Sequence, residues 1–545
     1  MNKNDIPDCG VTTGAFFDPP CYVVPPKEEI QFSRSEHIMA FCTALLAFFF
    51  VHFVLWNTSG FFTTLFYFTV ITMTMIFTAK SGFTLNGFHK LSAVILYIFS
   101  LVFSLTSNSL IKNLDAVFLF VGGAYFVYSV CTQRKDFGRF LPFQLAKCIF
   151  EYPFSHISKE YTAINSTLKS SERGKSIKYS VLGLVIALPL TYVVGLLLMS
   201  ADSGVEKILN TLGGFIKAQN IWTILIEIGL SIPAGGYLFG MLYSNTHKEK
   251  VKELDEDSCE AACKSCGRIN STMIYASVTP VCILYAVFFI SQTGYLLSAF
   301  AGKLPGAYSY SEYARKGFFE LFALTVINIG IIAFINLFTK RNGGEKPLGL
   351  RLYTSAICIF TLVITASAVS KMIMYVDNYG LTRKRIYTTW FMLLTAVIFI
   401  FLIVKQFRKS FRFTSAGCAA FTAMFALLCF SRPDALIARY NLEYCAYRLS
   451  YNDIVEMSEL SDDAAAVLME EKYDAVLESI FERYNQIRYG SEQLREDIMG
   501  DDYTDSFTPE TVYGFRQHIL EKLDHDPYNG FNISALMIRA NGEPK

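Results

Sequence analysis

The sequence predicts an all-α fold: a polytopic helical membrane protein with a small helical C-terminal soluble tail. Three observations predict it. Of 545 residues, 52% are hydrophobic and only 17% are charged. Apolar runs recur that are long enough to cross a bilayer, which takes about 20 residues of helix. The charges are unevenly divided: residues 431–545 carry 11 Lys and Arg against 23 Asp and Glu, a net of −12, and residues 1–430 carry 37 against 24, a net of +13. A basic apolar body joined to an acidic tail argues against nucleic acid as a partner and makes the lipid bilayer the first one.

Residues 1–36 read as a polar, cytoplasmic N-terminal tail, with no small-residue cleavage site of a secretory signal. The membrane domain, 37–430, holds eleven expected spans at 37–56, 60–78, 88–105, 115–131, 178–199, 221–243, 271–296, 318–338, 352–376, 386–404 and 416–430. The third, fourth and last are short, so counts from nine to twelve fit. Residues 132–177 are too long for a hairpin loop. "FLPFQLAKCIFEYPFSHI" mixes aromatic and basic residues, which suits a helix along the membrane surface as well as a solvated loop with one helix. Pro189, Pro233 and Pro280, with Gly235 and Gly236, are candidate kinks or breaks of the kind that line binding sites in transporters. Asn328 and Asn336 are expected to bond to neighbouring helices. The acidic tail, 431–545, is expected to form a helical domain, with Ser461 as an N-cap and Asp462 and Asp463 in the first turn after it, where the helix dipole favours acids.

Lys and Arg near span ends set the orientation. With the N-terminus inside, about 25 basic residues fall on the cytoplasmic side and about nine outside. The inside segments include 132–177, 244–270, "TKRNGGEKPLGLR" and "KQFRKSFR". An odd number of spans then puts the acidic tail outside.

Three stretches carry a resemblance: "SQTGYLLSAFAGKLPGAYSYSEYARKGFFELF" (291–322), "MYVDNYGLTRKRIYTTWF" (374–391) and "RPDALIARYNLEY" (432–444). Together they resemble an uncharacterised bacterial family of multi-pass membrane proteins, a domain of unknown function. The resemblance implies a polytopic helical fold in a bacterial cytoplasmic membrane. It implies no chemistry.

By the charge count, all three stretches lie on the extracytoplasmic face. Ionisable residues near span ends gather there too: Glu227 in the sixth span, Glu320 at the start of the eighth, Lys371 near the end of the ninth with Ser367 one turn away, and Asp202 after the fifth. Asp377, Arg383 and Arg385 flank the ninth and tenth, and Glu312 and Arg315 precede the eighth, three apart, on one face of a helix. Charges at membrane depth are costly and face a bundle interior or a wet cavity. The sharp reading is an outward polar cup that binds a ligand, with Glu320, Lys371 and Arg383 within reach of it. The plain reading is that the Arg and Lys residues anchor at lipid phosphates, that the deeper groups pair between helices, and that Glu320 suits a helix N-terminus.

No catalytic constellation is visible: no P-loop, no G-x-S-x-G, no H-E-x-x-H and no kinase set. "CEAACKSC" puts Cys259, Cys263 and Cys266 on one helix face, where a zinc site would need His247, Cys9 or Cys21 as fourth ligand; an incidental thiol cluster is the simpler reading, and no metal or other cofactor is expected. His37 and His52 are too far apart to share a metal. Two functions survive: a transporter or lipid-handling protein with an outward polar site, and, as the alternative, a non-transporting receptor or scaffold that binds an envelope ligand or partner protein.

Overall fold

A computed structural model describes residues 31–56, 60–170, 218–247, 256–300, 309–340, 347–408, 410–488, 511–524 and 532–542, with isolated positions between 176 and 194. Among them every regular element is helical. Ten helices are long and apolar enough to cross a membrane. The spans expected at the third, fourth and last positions are among them, at Gly87–Leu105, Ser109–Cys131 and Phe413–Phe430. The expected span at 178–199 lies outside the described residues, as do Pro189 and Asp202.

Local sequence fixes where the helices start. Helix α1 (Arg34–Phe49) opens with a capping box, in which Ser33 and Glu36 exchange hydrogen bonds, and it runs on into a π-helical stretch, Phe50–Trp56. Helices α2 (Gly60–Lys80), α3 (Gly87–Ser100) and α4 (Ser109–Cys131) follow. Asn86 caps α3 and Asn108 caps α4, each side chain accepting a backbone N–H three residues on at 3.0 Å.

A broken segment comes next. Helix α5 (Leu141–Ala146) continues through a π-helical stretch, Lys147–Glu151, into Tyr152–Ser155, then turns into α6 (Lys159–Ser170). This is neither a solvated loop nor a helix merely resting on the surface. Cys148, Tyr152 and Ala163 are buried with α1, α4 and α7 (Ala218–His247). Gly240 lets α7 approach the Pro153 carbonyl, and any side chain there would collide with it. Phe143, Phe150 and Phe154 remain exposed on the outer side, which keeps the amphipathic character read from the sequence.

Helices α8 (Glu256–Cys266), α9 (Ser271–Phe300), α10 (Tyr310–Phe338), α11 (Leu348–Tyr379), α12 (Arg383–Phe407) and α13 (Phe413–Phe430) complete the body. Pro233 and Pro280 sit inside α7 and α9, and both helices run through them. Asn328 of α10 joins two neighbours, accepting from Tyr285 of α9 at 2.5 Å and donating to Thr361 of α11 at 2.8 Å. Asn336 donates to the Ile332 carbonyl of its own helix at 2.7 Å.

Apolar packing divides the bundle between α1–α4 with α7 and α9–α12. Helix α13 joins them: Phe425 stacks on Phe99 of α3 with centroids 5.6 Å apart, and the Trp390 indole of α12 donates to the Met424 carbonyl at 2.8 Å.

At one end of the bundle, His247 meets Glu36 at 3.1 Å, Arg134 meets Glu256 at 2.5 Å and Arg412 meets Asp136 at 2.9 Å. The segments that the charge count assigns to one side thus meet at one end, here called the basic end. Helix α6 ends there, with Thr167 beside His37, and so does α7, with His247 beside Glu36.

The tail begins with α14 (Pro433–Tyr444), α15 (Tyr451–Leu460) and α16 (Asp462–Leu468), and continues with α17 (Asp474–Arg488), α18 (Val512–Asp524) and α19 (Ile533–Gly542). Leu442, Ile454, Leu468, Leu477, Phe481 and Phe515 belong to one apolar core made of tail residues alone. "GDDYTDSFTPET" lies almost wholly outside the described residues.

Candidate functional site

At the end of the bundle opposite the basic one, the tail is fastened to the body by a buried polar network. Its centre is two fully buried acids, Asp434 and Asp463. Arg383, the first residue of α12, grips Asp434 with two parallel bonds, Nε to Oδ1 at 2.7 Å and a terminal nitrogen to Oδ2 at 2.6 Å, and it also donates to the Leu460 carbonyl. Asn108 donates to Asp434 at 2.8 Å from the head of α4, and Ser461 donates to it at 2.6 Å. Ser461 therefore holds the N-cap position of α16, but its hydroxyl bonds across to α14 instead of capping. Asp463 accepts from Thr106, from Ser534 of α19 and, at 3.2 Å, from Arg432. Each acid meets an arginine and further donors, the condition under which a buried charge is tolerated.

A second cluster surrounds Lys371 in α11. The side chain is 2% exposed, and its ammonium lies 4.7 Å from the centre of the Tyr313 ring of α10. Gly317 makes the room: a Cβ there would stand 2.8 Å from Lys371 Cδ. Glu320 and Lys316, one of each sign, are its charged neighbours. Ser367, one turn away, is buried with no hydrogen-bond partner for its hydroxyl.

A third set lies between α1, α4 and α7. His52, in the π-helical stretch after α1, meets buried Glu227 of α7 at 2.9 Å. π-Helical turns concentrate at functional sites. Beside this pair, a cavity of about 770 Å³ runs between the π-helical stretch, α2, α4 and α7. Ser107, Ser109, Lys112 and Asn113 line it at the head of α4, and mostly apolar side chains, with Thr63, Tyr67, Thr74 and Tyr237 among them, line the remainder as far as Val127 and Met241. Leu55, Val117 and Phe120 belong to the lining and are also exposed on the bundle's outer surface, so the cavity opens sideways.

The sequence-predicted residues are thus distributed over several places. Glu320 lies near enough to Lys371 to act on its charge. The structure places Arg383 in the tail network, with Asp434 as its partner. Arg385 donates to the Tyr379 and Gly380 carbonyls and lies 3.8 Å over the Tyr375 ring, closing the turn after α11. Glu312 completes a capping box with Ser309 at the start of α10, and Arg315 and Asp377 are exposed. Cys259, Cys263 and Cys266 lie on α8, and among the described residues no three His, Cys, Asp or Glu side chains form a group that could hold a metal ion.

Asp434, Asp463, Thr106 and Asn108 were missed as site residues. Signals were present: Asp434 follows Arg432 and Pro433 at the end of the last apolar run, and "TSNS" at 106–109 is a polar interruption between two apolar runs.

A family model matches residues 38–471. The chain belongs to DUF4153, a domain of unknown function. The DUF4153 match takes in the body from α1 to α13 and continues into the tail through α16, so both halves of the Arg383–Asp434 and Thr106–Asp463 contacts fall inside it. It ends before α17. No curated protein and no solved structure matches the chain.

Proposed function

We propose that this membrane protein handles an amphiphilic lipid, held with its headgroup at the head of α4 and its chains along the cavity beside α2, α4 and α7. The observation that carries this reading is the shape and polarity of the 770 Å³ cavity. Its size is that of a small-molecule site. Its one charged group, Lys112, sits at one end with Ser107, Ser109 and Asn113, whereas the α4 lining from Ala116 to Val127 is apolar over roughly 16 Å of helix. The sideways opening lets an acyl chain enter from the bilayer without crossing water. The charge bias supports the cytoplasmic membrane of a bacterium as its location, with the basic end inside and the head of α4 and the tail outside. The site is then outward-facing, although it is built from other residues than the cup around Glu320, Lys371 and Arg383. Lys371 and Glu320 remain a candidate ligand-binding pair in their own right, supported by the burial of Lys371 among α10 and α11.

Gly123 supplies the test. It lines the cavity, and a Cβ there would meet no atom within 4 Å. Gly123→Phe therefore directs a ring into the cavity from a position with room for its Cβ, and an unchanged unfolding midpoint in detergent checks that the fold is kept. Native mass spectrometry of protein extracted in mild detergent should show a lipid retained by the wild type and lost from Gly123→Phe. An unchanged lipid complement would refute the reading. The receptor or scaffold alternative, favoured by exposed Tyr444, Tyr447 and Tyr513 on the tail, would then be preferred.

A further inference from the structure

A second cavity, of about 860 Å³, occupies the basic end. It lies among the loop after α4, helix α8, the end of α10, the start of α11, the end of α12 and the start of α13. Arg134, Arg139, Arg351, Lys405 and Arg412 line it, against two acids, Asp136 and Glu256, so five positive charges face two negative ones. The acids are already engaged. Glu256 accepts from Arg134 at 2.5 Å and from Gln144 at 3.1 Å, and Asp136 accepts from Arg412 at 2.9 Å. Two lining residues also hold buried donors with no hydrogen-bond partner, Arg134 Nε and Ser415 Oγ.

Basic residues at this end of a membrane protein have an ordinary explanation, because they retain the loops on one side and reach for lipid phosphates around the rim. That explanation distributes them over the periphery. Here four separate segments bring five cations to the same concave space, two of them from the loop after α4. Three of them already meet an acid, Arg134 with Glu256, Arg412 with Asp136 and Arg139 with Glu260 at 3.4 Å, and the excess of positive charge that is left is one an anion would offset. The guanidinium fork matches phosphate oxygens in pairs, and four of the five cations are arginines.

We propose that this cavity is a binding site for a phosphate-bearing anion, distinct from the lipid cavity beside α4. The same chemistry is offered by a soluble phosphate compound and by the headgroup of an anionic lipid, and the experiment separates the two. Arg139 and Arg412 have side chains 58% and 74% exposed, so the mouth is open to solvent. Arg134 and Ser415 supply the buried donors within.

The test uses the full chain in lipid nanodiscs. Inorganic pyrophosphate is titrated calorimetrically into protein held in phosphatidylcholine discs. In parallel, phosphatidylglycerol retained from mixed discs is counted by native mass spectrometry. The variant is Arg351→Gln with Lys405→Gln, and Lys135→Gln, exposed and outside the lining, is the control. Should the double variant not fold, Arg412→Gln at the exposed mouth replaces it. Pyrophosphate binding weakened at least tenfold by the lining variant, and unchanged in the control, supports a soluble ligand. Selective phosphatidylglycerol retention lost in the lining variant, with pyrophosphate silent, supports a lipid headgroup. Binding of neither probe, or equal binding by the wild type and the lining variant, overturns the proposal.

Discussion

Asp115 is the most exacting residue in the body of the protein. It is fully buried in α4, six residues after the helix begins, and neither carboxyl oxygen has a hydrogen-bond partner. An unsatisfied buried polar group costs about 1–3 kcal/mol. Asp115→Leu, with the same branching and no polar atoms, should therefore raise the thermal unfolding midpoint in detergent by a few degrees. A fall of similar size would mean that the carboxyl makes a favourable interaction instead.

Glu160 of α6 is buried against the Thr43 hydroxyl, which donates to it at 2.7 Å. Burial pushes its carboxyl up to about 7 from a usual 4.5, and the Thr43 bond opposes the rise. The folded state then holds this proton where the unfolded chain has released it. Its contribution to stability is complete below about pH 4.5 and declines as pH rises to about 7, by about 3 kcal/mol in all. In Glu160→Gln that slope should vanish, so the stability difference between variant and wild type should widen across this window. A constant difference would refute the assignment.

Among the elements, the turn between α11 and α12 does the most to position the tail. Gly380 ends α11 with φ at +73°, and a Cβ there would stand 2.6 Å from Asn441 Oδ1. Asn441 of α14 reads the same turn, accepting from the Leu381 N–H at 2.7 Å and donating to its carbonyl at 2.9 Å. Gly380→Ala meets a disfavoured backbone and a side chain held at both ends, so a loss of about 2 kcal/mol is expected. Asp434→Ala is more severe: it leaves Arg383 without its partner in a partly buried place, at about 3–5 kcal/mol. Limited proteolysis should then cut between the body and α14 before any span is attacked. Resistance equal to the wild type's would show that the apolar contacts alone hold the tail.

The sequence showed the spans but not these fastenings, and the reason is physical. An apolar run long enough to cross a bilayer announces itself locally, and Pro and Gly within it mark only where a helix is permitted to bend. Two partners of Asp463 are Thr106, 357 positions away, and Ser534, 71 positions away. No periodicity links them. Lys371 was visible as a charge at depth, yet its place depends on the missing side chain of Gly317 on another helix. Arg383 was read as a ligand residue because the acid opposite it belongs to the tail, which looked like an independent unit.

For the whole molecule, the decisive arrangement is that the basic segments meet at one end and the tail is anchored at the other. Cys266 at the end of α8 is exposed at the basic end, and Tyr447 is 67% exposed beyond α14 in the tail. Positive charge retains loops in the cytoplasm, and a tail with a net of −12 has no such retention. A membrane-impermeant maleimide applied to intact cells should therefore modify Tyr447→Cys and leave Cys266 untouched. In permeabilised cells it should reach both. The two positions test opposite ends of the molecule, because the Asp434 and Asp463 network ties the tail to the heads of α4 and α12. Labelling of Cys266 alone in intact cells would reverse the orientation, moving the polar end of the cavity beside α4 to the cytoplasm. Labelling of both would show that the two ends are not separated by a membrane, and the bundle would have to be read anew.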